Sequence, residues 1–572
     1  MTSERWLDLG PIDDMPEGRP VLRKVDGRRF ACVRRGEEAF ALDDRCPHQG
    51  YPLSQGSCKD GVLTCEWHNW KFDVGSGECL FGGEAVRHYP TRVVDGRVHL
   101  STAIDAEKEA ARLRIGLDAA LSRDEMGRAL REALRLGEVV AHPRSESLGV
   151  LAAGFEACAR DGARRAEYGF DHGLAVLADL VSFAERGWVG REEAFVQAAH
   201  AVAEPSLHLS ARAVAGPEAA GEDPLDPKRL AAALIEERRS EAEARARAIV
   251  RANGPRAAVR ALAPFLARHL YDYGHGAIFT MKALEIAERF PAIAQDVIGA
   301  VTVTLAWATA ETALPPFAAT RKALERADAI SGAGEGSRAL DAGERAEYEA
   351  AILSGESSGA EMTVTWLARG ADPRALLVAC ARAAAERIRR FDIAWEGRTD
   401  AEVGVLDVTH TLTFTESALA LADLAAPHDA ARLAVLAAGF IGKVRAGDRS
   451  DVSDPAPISD AADLASALAA RDVGRAIAIA RAMTAEERRA AYATVAPFAA
   501  LDAATRPIFY AHTVKNTEAF RRMDLADPHA DATYLVGLLA YVTPSRREIR
   551  PRRVAAVARK FLSDGRPPEG LY

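Results

Sequence analysis

The stretch Cys46-Pro-His48-Gln-Gly-Tyr-Pro-Leu-Ser-Gln-Gly56, continued by Gly61-Val-Leu-Thr-Cys65-Glu-Trp-His68-Asn-Trp-Lys-Phe-Asp-Val-Gly-Ser-Gly-Glu78, decides how the first part of this chain is read. Two Cys/His pairs lie sixteen residues apart, Cys46 with His48 and Cys65 with His68. Two thiolates and two imidazoles can hold zinc. They are also the ligand set of a [2Fe-2S] cluster in which two histidines replace two thiolates on one iron; the lower negative charge raises the potential and suits a one-electron relay.

The residues around the pairs favour the cluster. Gly50, Pro52, Leu53 and Gly56 fit a tight turn behind the first pair, glycine supplying backbone angles that other residues resist. Over about the first hundred residues the chain closely resembles the Rieske family, and the resemblance assigns Cys46, His48, Cys65 and His68 to a [2Fe-2S] cluster. High-potential respiratory members carry an extra, disulfide-joined Cys in each ligand loop. Tyr51 and Trp67 hold those positions here, which implies the ferredoxin type of oxygenase systems. Cys32, Cys58 and Cys79 lie outside the motif and read as packed thiols.

Short alternating runs at Pro20 to Val25, Phe30 to Arg34, Ala39 to Leu42, Val62 to Cys65 and Arg92 to Leu100 predict strands, with Asp95-Gly96 as a hairpin turn. From Thr102 the character changes to alanine, arginine, leucine and glutamate at helical spacing. The expected fold is therefore α+β and multidomain: a small antiparallel β domain over 1–103, then a large all-α domain over 104–572. Breaks rich in Gly, Pro, Ser and Asp at Ala215 to Lys228, Ile330 to Glu344 and Ala446 to Asp460 separate groups of helices, none with an obvious core of its own. The basic run at Arg546 to Arg553 reads as a solvated tail.

Composition narrows the partners. With 572 residues, 48% hydrophobic content and a formal charge of -9, the chain is large enough for several cores, and its acidity disfavours nucleic acid. No long apolar run is free of charge and MTSERWLDL has no apolar signal region, so no membrane partner and a cytoplasmic location are expected.

The familiar Rieske oxygenases keep a mononuclear iron in a β-rich domain with two histidines at short spacing. His-x4-His is absent here; His200 with His208 and His269 with His275 are the nearest pairs. The helical region instead carries histidines inside apolar segments: His172 in GFDHGLAVLADLVSF, His275 in LYDYGHGAIFTMKALEI, His410 in LDVTHTLTFTESALAL and His512 in PIFYAHTVKNTEAF. Any one alone reads as an ordinary hydrogen-bonded core residue, whereas four in similar settings point to a site. Asp272 and Asp407 precede His275 and His410 by three, a helix-face spacing that allows a ligand or an acceptor fixing the imidazole tautomer; for Asp407 a helix cap is the equal alternative. Glu416 and Glu518 follow their histidines by six, about 240° round a helix, too far to share an ion with them. Lys515 is a rare lysine in an arginine-rich chain and shares a face with His512. Buried, its amine loses proton affinity and can take up carbon dioxide as a carbamate, an oxygen ligand for a metal; otherwise it snorkels to the surface.

These helices, above all YAHTVKNTEAF, resemble the questin oxidase-like proteins, helical oxygenases associated with ring cleavage of anthraquinones and related aromatic polyketides. The resemblance implies a mononuclear non-heme iron on His172, His275, His410 and His512, with Lys515 as a carbamylated ligand. The function expected is a Rieske-fused non-heme iron oxygenase acting with O2 on a small aromatic, polyketide or quinone-like substrate. Electrons would come from NAD(P)H through a reductase or ferredoxin, and a homo-oligomer is a plausible assembly. Phe170, Tyr271, Tyr273, Phe279, Phe414, Phe509 and Tyr510 are candidates to line a flat pocket. The alternatives are an electron-transfer or scaffold protein without a catalytic metal, and a helical di-iron oxidase, for which Glu-x-x-His is missing.

Overall fold

The structure is a computed structural model describing residues 5–103, 105–165, 168–206, 213–308, 317–392, 403–449, 452–453, 455–456, 463–501 and 507–544. The basic run at Arg546 to Arg553 lies outside the described residues, as does part of the break at Ala446 to Asp460. The chain divides into two compact units, Met1–Gly116 and Leu117–Tyr572.

The first unit is built of antiparallel sheets. Val21–Val25, Arg28–Arg35, Glu38–Asp43 and His88–Tyr89 form one; Ser57–Lys59, Val62–Thr64, Lys71–Asp73 and Cys79–Phe81 form a second; Trp6–Pro11, Arg97–Ser101 and Thr91–Val94 form a third. The alternation in Phe30-Ala-Cys-Val33 is that of a strand covered on both faces. Phe30 and Cys32 enter one core with Leu7, Tyr89 and Leu100, while Ala31 and Val33 enter another with Leu42, Leu63 and Phe72. Cys32 is thus a packed thiol, and Cys58 and Cys79 pack half-buried against the second core. Asp95 and Gly96, at φ 48° and 70°, make the expected hairpin turn between the last two strands. The strands at Trp6, Ser57, Lys71, Cys79 and His88 were not expected; most are two or three residues long, too short for alternation to register.

Every regular element described after Ser101 is a helix, beginning with Ala106–Leu121. Two expected breaks end in capped helix starts, Asp226 before Pro227–Ile235 and Asp341, in a capping box with Glu344, before Ala342–Ser354. Four helices place the site: His172–Glu185, His275–Arg289, Val405–Ala422 and Pro507–Ala526. Each packs against the next and the last against the first, closing a ring. Gly173 through Ala184 are all buried, in keeping with a segment apolar around most of its circumference; Val408 through Leu419 are buried too, although that segment carries Thr409, His410, Thr411, Thr413, Thr415, Glu416 and Ser417. Among the described residues no helix is long and apolar enough to cross a membrane.

Candidate metal centres

In the first unit the two ligand loops repeat one backbone arrangement. The Cys46 N–H donates to the Tyr51 carbonyl and the Cys65 N–H to the Trp70 carbonyl, each at 2.8 Å. Gly50 and Asn69 donate back to the carbonyls of Cys46 and Cys65 at 2.8 and 3.0 Å. Both residues take the left-handed conformation, φ 79° and 58°, which glycine and asparagine tolerate best. The loops bring the His48 and His68 rings to 4.4 Å between centroids and stack His48 on Trp70 at 4.8 Å. The Tyr51 and Trp67 rings lie 5.6 Å apart, so the two positions that replace the disulfide are neighbours.

This arrangement fits a [2Fe-2S] cluster. Cys46 and Cys65 are buried side by side, and burial pushes the Cys46 thiol up to about 12. His48 Nδ1 is buried without a hydrogen-bond partner, a costly orphan unless it binds a metal.

In the helical unit the four expected histidines converge. One ring nitrogen from each of His172, His275, His410 and His512 falls in a set whose members all lie within 4.8 Å of one another. The Nε2 atoms of His275 and His172 are 3.1 Å apart, and those of His512 and His410 are 2.7 Å apart. His512 Nδ1 lies 2.7 Å from the Ile508 carbonyl, and His275 Nδ1 2.6 Å from the Asp272 carbonyl. A carbonyl only accepts, so both Nδ1 atoms carry the proton and both Nε2 lone pairs face the cluster. Burial, with the neighbouring Lys515 and histidines, holds His172 and His410 well below the usual imidazole range. Four imidazoles that bring one nitrogen each into so small a volume are a donor set for a cation such as iron or zinc.

Asp272 and Asp407 have different fates. The Asp407 carboxylate accepts from the Gly404 N–H at 2.8 Å and closes the helix start, so it is a cap. Asp272 does back His275, with its carboxylate 3.3 Å from Nδ1. It does so from outside the helix, which begins only at His275, and not from the shared helix face that the spacing implied. Tyr271, Asp272, Tyr273 and Gly274 are successively left-handed, φ 43°, 49°, 54° and 90°. Three non-glycine residues in that region are strained, and such strain clusters at functional sites. Packing holds the turn: Tyr271 stacks on Phe265 at 4.4 Å, and a Cβ on Gly274 would meet Phe414 at 2.9 Å.

Lys515 does not snorkel. It is 1% exposed, its Nζ has no hydrogen-bond partner, and burial brings its amine down to about 7. The nitrogen lies 5.8 Å from the Phe279 ring, which also touches His172 and His275. A second layer of charges follows along the same helices. Lys282 bonds Asp179 at 2.6 Å and Glu285 at 3.2 Å; Arg522 pairs with Glu285, Glu416 and Glu518; Arg186 and Arg521 complete Glu518. Glu416 and Glu518 are therefore bound to arginine, as their rotation away from the histidines required. Lys282, Asp179 and Arg522 were missed, although Lys282 carries the signal that exposed Lys515: a rare lysine in an apolar helix. Of the expected aromatics, Phe279 and Phe170 adjoin the site, Phe414 packs on Phe440, and the Tyr510 hydroxyl is buried without a partner.

A family model described as the Rieske [2Fe-2S] domain matches residues 5–90. The anthranilate 1,2-dioxygenase ferredoxin subunit of Burkholderia cepacia is 37% identical over 102 residues, 18% of this chain and 94% of the relative. The ferredoxin component of the naphthalene 1,2-dioxygenase/salicylate 5-hydroxylase systems of Ralstonia sp is 31% identical over 100 residues, 17% of this chain and 96% of the relative. The 4beta-methylsterol monooxygenase of Methylococcus capsulatus is 55% identical over 81 residues, 14% of this chain and 21% of the relative. Through its first unit, with Cys46, His48, Cys65 and His68 in place, the chain belongs to the Rieske [2Fe-2S] family.

Proposed function

We propose that the chain is a Rieske-fused non-heme iron oxygenase, with the relay in the first unit and the catalytic metal on the four histidines of the second. The supporting observation is the convergence of His172, His275, His410 and His512 within 4.8 Å, two of them with Nδ1 committed to carbonyls and Nε2 directed inward. The cluster ligands would hold a group that passes single electrons, and the imidazoles an iron that activates dioxygen.

The chain's own residues set the conditions for that chemistry. Asp272 and the Ile508 carbonyl fix the orientation of two rings. Phe279 covers part of the His172 and His275 rings, and Lys515 offers a buried amine as a carbamate-forming fifth ligand. No carboxylate belongs to the histidine set among the described residues, and Glu416 and Glu518 are bound to arginine, which disfavours a di-iron centre. The substrate class carried by this reading is a small aromatic or quinone-like molecule, with electrons from NAD(P)H through a reductase. The relatives named as ferredoxin components of dioxygenase systems, and the relative named as a monooxygenase, accord with such a setting.

Iron content per chain is the test. Three irons are expected in the reconstituted protein, falling to two in a His410→Ala, His512→Ala double variant that keeps its [2Fe-2S] absorption. Two irons in the parent would leave only the relay.

A further inference from the structure

The four histidines are not equally enclosed. His410 and His512 are buried, whereas His172 and His275 are partly exposed, so the cluster opens on one side. Two large aromatic side chains lie bare on the segments that adjoin these two histidines, one just before the helix of His172 and one at the end of a helix packed on that of His275. Tyr168 is 57% exposed and Trp307 is 47% exposed, their rings edge to face at 5.4 Å.

Both are tied to the site by short, stiff segments. Tyr168 precedes His172 by four residues, which limits their Cα separation to about 14 Å. Thr304 Oγ1 clamps the connecting bulge: it accepts from the Phe170 N–H at 2.6 Å, and its one proton has the Tyr168, Phe170 and Ala300 carbonyls at 2.9, 3.1 and 3.2 Å as alternative acceptors. Gly169 allows this approach at φ 96°; a Cβ there would sit 2.2 Å from the Ala300 carbonyl oxygen. Trp307 ends the helix Ala294–Trp307, two residues beyond Leu305, whose side chain packs against Gly276 beside His275. Phe170, two residues after Tyr168, has its ring centroid 5.4 Å from that of Phe279, which in turn lies against His172 and His275.

An exposed, rigid aromatic corner is unfavourable in water and suits the face of a flat ring. It also carries a cation. The Arg239 guanidinium lies 3.8 Å from the Trp307 ring centroid, exposed, with no carboxylate partner among the described residues.

From this geometry we propose that Tyr168, Trp307 and Arg239 form an outer binding rim of the four-histidine site, which takes a flat aromatic ligand bearing an anionic group. The ring seats in the corner of Tyr168 and Trp307, and Arg239 receives the anion as a charge-assisted hydrogen bond. The inference rests on the reading of the histidine cluster as the catalytic site for its meaning, but not for its test.

Anthracene-2-carboxylate, a flat fluorescent acid, and the neutral anthracene-2-carboxamide are titrated into the full iron-loaded chain and followed by fluorescence anisotropy. The acid is expected to bind saturably and more tightly than the amide. Tyr168→Ala and Trp307→Ala each weaken both probes about tenfold, the loss of one stacked ring. Tyr168→Phe and Trp307→Phe keep a ring and bind nearly as the parent. Arg239→Gln weakens the acid about fivefold and leaves the amide unchanged. In His410→Ala with His512→Ala, acid binding survives, so loss of the metal site and loss of the rim are separate results. No saturable binding, equal binding by the alanine variants, or an equal effect of Arg239→Gln on acid and amide would each overturn the proposal.

Discussion

His410 and His512, from helices 102 residues apart in sequence, meet Nε2 to Nε2 at 2.7 Å with the His512 Nδ1 proton committed to the Ile508 carbonyl. Two imidazole nitrogens at that separation need a shared proton or a shared cation between them. Stripping the metal should therefore loosen the helical unit. Treatment with a strong chelator is expected to lower its melting temperature, and readded ferrous iron at a hundredfold its Kd to restore about 2.7 kcal/mol. An identical melting curve with and without metal would contradict this.

Lys515 should behave as a functional group carried at a cost in stability. An unsatisfied buried amine costs about 1–3 kcal/mol, and Met has a similar length without the polar end. Lys515→Met is expected to melt at the same temperature as the parent or higher in metal-free protein, while binding iron more weakly and losing turnover. Parallel loss of stability and activity would mark Lys515 as structural.

Glu518 gives a pH dependence with a definite sign. Burial opposes its ionisation, but the Arg521 hydrogen bonds and the Arg522 charge outweigh that and hold it near 2. A carboxyl depressed from its ordinary value near 4.5 stabilises the fold in full above that value and loses its contribution as pH falls toward 2. The amount is about 3 kcal/mol. Glu518→Gln is expected to remove several kcal/mol at pH 7, because it leaves arginines Arg186, Arg521 and Arg522 short of a counterion. It should also flatten the denaturation profile between pH 5 and pH 2, as measured by urea titration.

The turn before His275 predicts an unusually costly small substitution. Gly274→Ala adds one methyl at φ 90°, where its nearest neighbour is Phe414 at 2.9 Å. About 1–2 kcal/mol comes from the backbone alone, and relief of the clash shifts Asp272 away from His275. Iron affinity should fall more than stability does, as read by metal titration alongside thermal melting.

What could be read in the sequence followed from locality. The Cys46 and Cys65 loops are contiguous, so their turn residues and spacing carried the whole first centre. The second centre draws one histidine from each of four distant segments, and no spacing encodes their meeting; only the oddity of polar residues in apolar helices revealed them. Lys515 was legible for that reason, and Lys282 should have been. Asp272 was found with the wrong geometry, because a run of left-handed tyrosine and aspartate is imposed by packing on Phe265 and Phe414 and not by local propensity. Tyr168 and Trp307 gave no signal, since exposure of an aromatic depends on what the fold leaves uncovered.

The spacing between histidine and charge along these helices also limits how the chain can change in length. His172 to Asp179 and His275 to Lys282 are each seven residues, two turns and about 10 Å of rise, which returns a side chain nearly to its starting azimuth. Removing one residue from either interval would turn everything beyond it by about 100°, parting Asp179 from Lys282 while both histidines kept their places. Insertions and deletions are thus admissible in the loops of this unit but not within these two intervals, where the register of the helices is a fixed measure.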